Sequence, residues 1–70
     1  MRYKLITTSF EETVNILSKM ALETDEQLEN MRVAYLFDDQ IIHLDSAFDF
    51  IDVDPNKTSI KKISLYQLID

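Results

Sequence analysis

Glycine and cysteine are both absent from this 70-residue chain, tryptophan is absent too, and Pro55 is the single proline. Without cysteine there are no disulfides, no thiolate nucleophile and no thiolate metal site, which fits a reducing compartment. Average usage would place about five glycines in a chain of this length. Their absence excludes phosphate-cradling loops, dinucleotide fingerprints and glycine-hinged lids. Turn positions that need a positive φ are expected to fall to Asn or Asp, the next most tolerant residues.

Long apolar runs are missing as well. Nothing approaches the roughly 20 residues of a membrane helix. Leu5-Ile6 is far short of the roughly 7–15 apolar residues of a secretory signal. No membrane association is expected, and the expected location is cytoplasmic, that of a bacterial host if the chain is phage-derived.

Positive charge is scarce: seven Lys and Arg stand against 13 Asp and Glu, a formal net charge of −6. That argues against direct nucleic-acid binding, which rests on a positive footprint. It fits an acidic surface steered toward a basic protein. The charge is uneven. Arg2 and Lys4 make the first ten residues basic, and Lys57, Lys61 and Lys62 do the same for the last sixteen. The acids crowd residues 11–30 and 41–54 between them.

What is present is an ordinary apolar fraction, 46%, enough for one small globular domain over residues 1–70. A domain of this size buries only about 60% of its unfolded surface, so its core is marginal without very good packing or a second subunit.

Arg2–Thr7 alternates and reads as a strand. Ser9 followed by Glu12 is a capping box, and Glu11 and Glu12 suit the positive end of a helix. Phe10, Val14, Leu17, Ala21, Thr24, Leu28 and Met31 then form one apolar stripe, widened by Ile16 and Met20. Packing of this stripe on the domain's own sheet is preferred to a coiled-coil seam. Glu23, Asp25, Glu26 and Glu29 crowd the negative end of such a helix, and Thr24 with Gln27 forms a second capping box. The helix is therefore expected to kink or split near residue 24.

Arg32–Phe37 is a strand apolar on both faces. Asp38-Asp39 is a polar break, and Gln40–Asp45 pairs back as a hairpin. Ala47–Val53 reads as a third strand of this run, closed by a type I turn at Asp54-Pro55-Asn56-Lys57. Thr58–Leu65 reads as a strand in preference to a helix, because Lys61 and Lys62 would sit at the wrong end of a helix dipole. Tyr66–Ile69 is expected to pack down. The fold class is α+β: an amphipathic helix on an antiparallel sheet of four to five strands, order β-α-β-β-β(-β), with the strands in a meander.

Chemistry is thin. Asp52, Asp54 and Asn56 match the first positions of a calcium loop, but Lys57 and Ile63 stand where its Gly and Glu belong. His43, the single histidine, shares a strand face with Ile41 and Asp45, and no further imidazole or thiolate can complete a metal site. No serine lies in a nucleophile elbow. No catalytic, cofactor or metal site is expected, and the chain is read as non-enzymatic.

In size, acidity and lack of chemistry the chain resembles, in general style, small phage and mobile-element proteins, including inhibitors that imitate the charge of DNA. The functional expectation is a protein-binding domain whose acidic surface engages a basic partner, with inhibition of a nucleic-acid-handling enzyme as one form. The candidate contact residues are Glu23, Asp25, Glu26, Glu29, Asp38, Asp39, Asp45, Asp49, Asp52 and Asp54, set in rows if they imitate phosphates. The alternative is a homo-oligomeric structural or regulatory module, a homodimer for instance, joined through the helix stripe or a sheet edge. A second alternative is a small enzyme with a site between subunits, built on His43 and an acid.

Overall fold

A computed structural model describes residues 2–23, 25–38, 40–52 and 60–69. The elements in chain order are β1 (Tyr3–Thr7), α1 (Phe10–Glu23), α2 (Asp25–Leu28), β2 (Met31–Leu36), β3 (Ile42–Ser46), α3 (Ala47–Ile51) and β4 (Lys62–Leu68). They make an α+β fold, helices packed on a four-stranded antiparallel sheet.

The strand order β1-β4-β2-β3 corrects the expected meander. The last strand is inserted at the centre, antiparallel to β1 on one side and to β2 on the other. β1 and β2 therefore run parallel to each other with β4 between them. Parallel strands need a long crossover, and α1 with α2 supplies it. The first and last segments are neighbours, as their apolar character allows: Leu5 pairs with Tyr66, and the Ile69 amide donates to the Arg2 carbonyl at 2.9 Å.

The start of α1 is built by a relay rather than a reciprocal capping box. The Glu12 amide donates to Ser9 Oγ at 3.2 Å, as expected of the cap. The Glu12 carboxylate, however, accepts from Thr7 Oγ1 at 2.7 Å, and Thr7 Oγ1 in turn accepts from the Ser9 amide at 3.1 Å. A bulge between Leu5 and Thr7 places Thr7 opposite Leu65, buried beneath the helix start. The bulge thereby re-aims one side chain to finish a cap.

Helical structure ends at Glu23 and resumes at Asp25, so two segments stand where the stripe ran; Thr24 lies outside the described residues. No cation sits in the last turn of α1 to offset Glu23, which favours termination there. The buried face of α1 is Thr13 and Leu17, flanked by the half-buried Ile16 and Met20. Phe10, Val14 and Ala21, expected in the stripe, are exposed instead, and Met31 belongs to β2. The helix is rotated because Thr13 satisfies its hydroxyl on the Ser9 carbonyl (2.8 Å) and can therefore be buried without penalty.

The run from Ala47 is a helix, not a strand. Ser46 caps it by accepting from the Asp49 amide at 3.2 Å. Ala47 and Phe50, three apart, turn into the core while Phe48 and Ile51 stay exposed. The turn expected at Asp54–Lys57 lies outside the described residues. The β2–β3 hairpin is wider than a two-residue break, with Leu36 pairing Ile42 and the Gln40 amide bonding the Phe37 carbonyl at 3.2 Å. The positive φ (60°) falls to Gln40 rather than to Asn or Asp. β4 is a strand, as preferred from its lysines, and Tyr66 to Leu68 complete it.

One core results: Leu17, Leu28, Met31, Val33, Tyr35, Ala47, Phe50, Ile63 and Leu65. All of it lies on the helix-covered side of the sheet.

Candidate interaction surfaces

Along β2, Met31, Val33 and Tyr35 are buried, while Arg32, Ala34 and Leu36 alternate with them on the other side. Ladder partners share a face, so the register assigns the rest. Tyr35 pairs with His43 and Ile63, and Val33 with Asp45 and Leu65, under the helices. Ala34 pairs with Leu44 and Ser64, and Leu36 with Ile42 and Lys62, on the side that no described helix covers. Tyr3 and Leu5 join that side through Leu68 and Tyr66.

The phase of β3 is thus inverted: its polar residues face the helices and its apolar residues face outward. The inversion has a cause. The Tyr35 hydroxyl donates a short hydrogen bond to the Asp45 carboxylate, and the His43 ring stacks on Tyr35 at 5.2 Å between centroids. Phe37 and Phe50 close on the Tyr35 ring edge-on, both at 5.3 Å. Burial, reinforced by the Asp45 bond and the Asp45 and Asp49 charges, pushes the Tyr35 phenol up to about 12. It remains a protonated donor throughout the physiological range.

The consequence lies on the other side. Ile42 is 75% exposed, Leu44 67%, Leu5 52% and Tyr3 45%. Tyr3 and Leu44 line a shallow depression together with Arg32 and Tyr66. Exposed apolar groups gathered on one face mark it as a candidate interaction surface.

The expected acidic contact residues are spread over several elements. Glu23 ends α1, Glu29 lies in the turn before β2, and Asp25 and Glu26 belong to α2. Asp38 stands at the opposite end of β2 and is paired with Lys61 at 3.5 Å, both well exposed. Asp45 and Asp49 come together at Tyr35, and Asp52 caps the end of α3. Asp39 and Asp54 lie outside the described residues. Among the described residues, then, the acids form no single row: Glu29 and Asp38 flank opposite ends of one strand.

His43 and Asp45 do share a face, but each is engaged with Tyr35, His43 by its ring and Asp45 by its carboxylate. No three His, Asp or Glu side chains converge as a metal site among the described residues. No described helix is long and apolar enough to cross a membrane.

Alternation in Ile42–Asp45 shows which residues share a face but not which face is covered, so the sequence alone does not single out the open-face residues. One signal pointed to them: Arg32–Phe37 is apolar on both faces, and a strand of that kind implies cover on both sides. No protein-family model, no curated protein and no solved structure matches this chain.

Proposed function

We propose that this chain is a non-enzymatic protein-interaction domain that binds through the uncovered face of its sheet. The observation that carries the reading is the outward phase of β3, which leaves Ile42 and Leu44 largely in water although both are aliphatic. Returning them to an apolar environment is worth roughly 1.5–3 kcal/mol per side chain. A further support is that the acid nearest to a histidine, Asp45, is occupied in holding Tyr35. Replacing Leu5 and Leu44 together by Asp tests it. The double variant is expected to keep the circular dichroism of the fold and to lose the proteins that the unaltered chain captures. Capture unchanged by the two substitutions contradicts the reading.

A second reading is favoured by the distribution of charge. Among the described acids Asp38 lies beside the open face, at its end with Leu36, Ile42 and Lys62, whereas Glu11, Glu23, Glu29, Asp49 and Asp52 are exposed elsewhere. That side suits a basic partner, such as a nucleic-acid-handling enzyme, held by contacts that salt weakens. Binding that survives high salt but not the Leu5 and Leu44 substitutions assigns the recognition to the open face alone.

A further inference from the structure

We infer that the occupant of the open face is a second copy of this chain, the two sheets packing face to face about a twofold axis. The inference rests on the reading that the open face binds protein, and it names the partner.

Three observations on the molecule carry it. The first is area. Four strands about 4.8 Å apart and about 20 Å long give a flat footprint of roughly 400 Å², and the corrugated accessible area is larger. Two such faces together bury on the order of 1,000 Å², the lower bound of a specific interface. A chain of this size also needs burial beyond its single one-sided core.

The second is shape. The exposed apolar residues stand in two ridges at diagonal corners. Tyr3 and Leu5 flank the end of β4 at Leu68 and Tyr66, while Ile42 and Leu44 lie beyond β2, level with Lys62 and Ser64. Ala34 and Ser64, paired at the centre, leave a low strip between them. A twofold axis along the strands sets the Tyr3–Leu5 ridge of one copy beside the Ile42–Leu44 ridge of the other, not on top of it. The stagger makes the surface complementary to itself, as an isologous interface requires.

The third is charge. At −6, two copies repel, yet the strands of the open face carry no described acid, and Asp38, at its end beside Leu36, Ile42 and Lys62, is paired with Lys61 at 3.5 Å. Its cations lie at its ends, Arg32 folded onto the Glu29 and Met31 carbonyls (2.7 and 2.9 Å) and Lys62 at the far end of β2. Face-to-face pairing therefore keeps the acidic surfaces apart. It also leaves both outward, so the dimer presents the acidic side twice.

Sedimentation equilibrium on the full chain, joined to site-specific photocrosslinking from position 44, tests the inference. The expected result is a dimer with a dissociation constant of roughly tens of micromolar and a crosslinked band at twice the monomer mass. Leu44→Asp is expected to weaken the dimer about 30-fold or more, since the twofold removes one buried anchor from each copy. Leu22→Asp, on the exposed side of α1, is expected to leave it unchanged. Leu5→Ser, on the other ridge, repeats the Leu44 test with a milder change should Leu44→Asp disturb the fold. A wild-type chain that stays monomeric to about 200 µM overturns the inference, since a dimer with a dissociation constant of roughly tens of micromolar is mostly formed at that concentration. So does equal weakening by Leu22→Asp. With a monomer, a crosslink from position 44 to another protein spares the protein-binding reading, whereas no crosslink at all removes that reading too.

Discussion

The two faces of this sheet are made from the same strands and nearly the same residue types, yet they do opposite things. Under the helices, Val33 and Leu65 are fully buried at the centre of a core that also holds a tyrosine, a histidine and a carboxylate. On the uncovered side, Leu5, Ile42 and Leu44 stand in water around Ala34 and Ser64. Hydrophobicity alone does not decide which face becomes the core. Satisfied polar groups do: Asp45 can be taken inside because Tyr35 bonds it, and the ladder's period of two then forces Ile42 and Leu44 out.

The sharpest way to break this comparison is to make the same change on each face. Leu65→Ala is expected to cost about 2–5 kcal/mol, a large part of the stability of a domain this small. Leu44→Ala, measured by chemical denaturation at concentrations where the chain is monomeric, is expected to fall within about 0.5 kcal/mol of the unaltered protein. Similar losses at the two positions would mean that the faces are not distinct.

The polar lock comes next. Tyr35→Phe removes the donor to a half-buried carboxylate and is expected to cost about 1.5–3 kcal/mol at neutral pH. The fold holds the Tyr35 phenol above its ordinary value of 10, so its contribution is whole below pH 10 and is lost as pH rises through about 12. Urea titrations between pH 9 and pH 12 are expected to show that decline in the unaltered chain and a shallower one in Tyr35→Phe. Identical slopes would remove Tyr35 as the cause. Smaller still, Thr7→Val breaks the relay that closes the start of α1 and is expected to cost about 1 kcal/mol, read as a lower melting temperature.

Much of the fold was legible in the sequence because its signals are local. Ser9 and Glu12 mark the helix start, Glu23 and the acids after it mark its end, and Lys61 and Lys62 argue against a helix at β4. What was not legible depends on distant partners. The place of β4 between β1 and β2 is set by pairing across more than fifty residues of chain, which no turn residue announces. Ala47–Val53 reads as a strand, although Ser46 and the spacing of Ala47 and Phe50 carry a cap and a helix face. The candidate site was missed for the same reason as the phase of β3. His43 and Asp45 look like surface residues until Tyr35 is placed across from them.

The most direct test of the account is solvent paramagnetic relaxation of methyl groups, measured at about 5 and about 500 µM protein so that mass action shifts any association. The account predicts that Leu65 and Val33 are protected at both concentrations, while Leu5, Ile42 and Leu44 are exposed in the dilute sample and protected in the concentrated one. Leu44 protected at both concentrations with Val33 exposed would contradict the assignment of the two faces. Leu5, Ile42 and Leu44 equally exposed at both would contradict the pairing of copies through the open one.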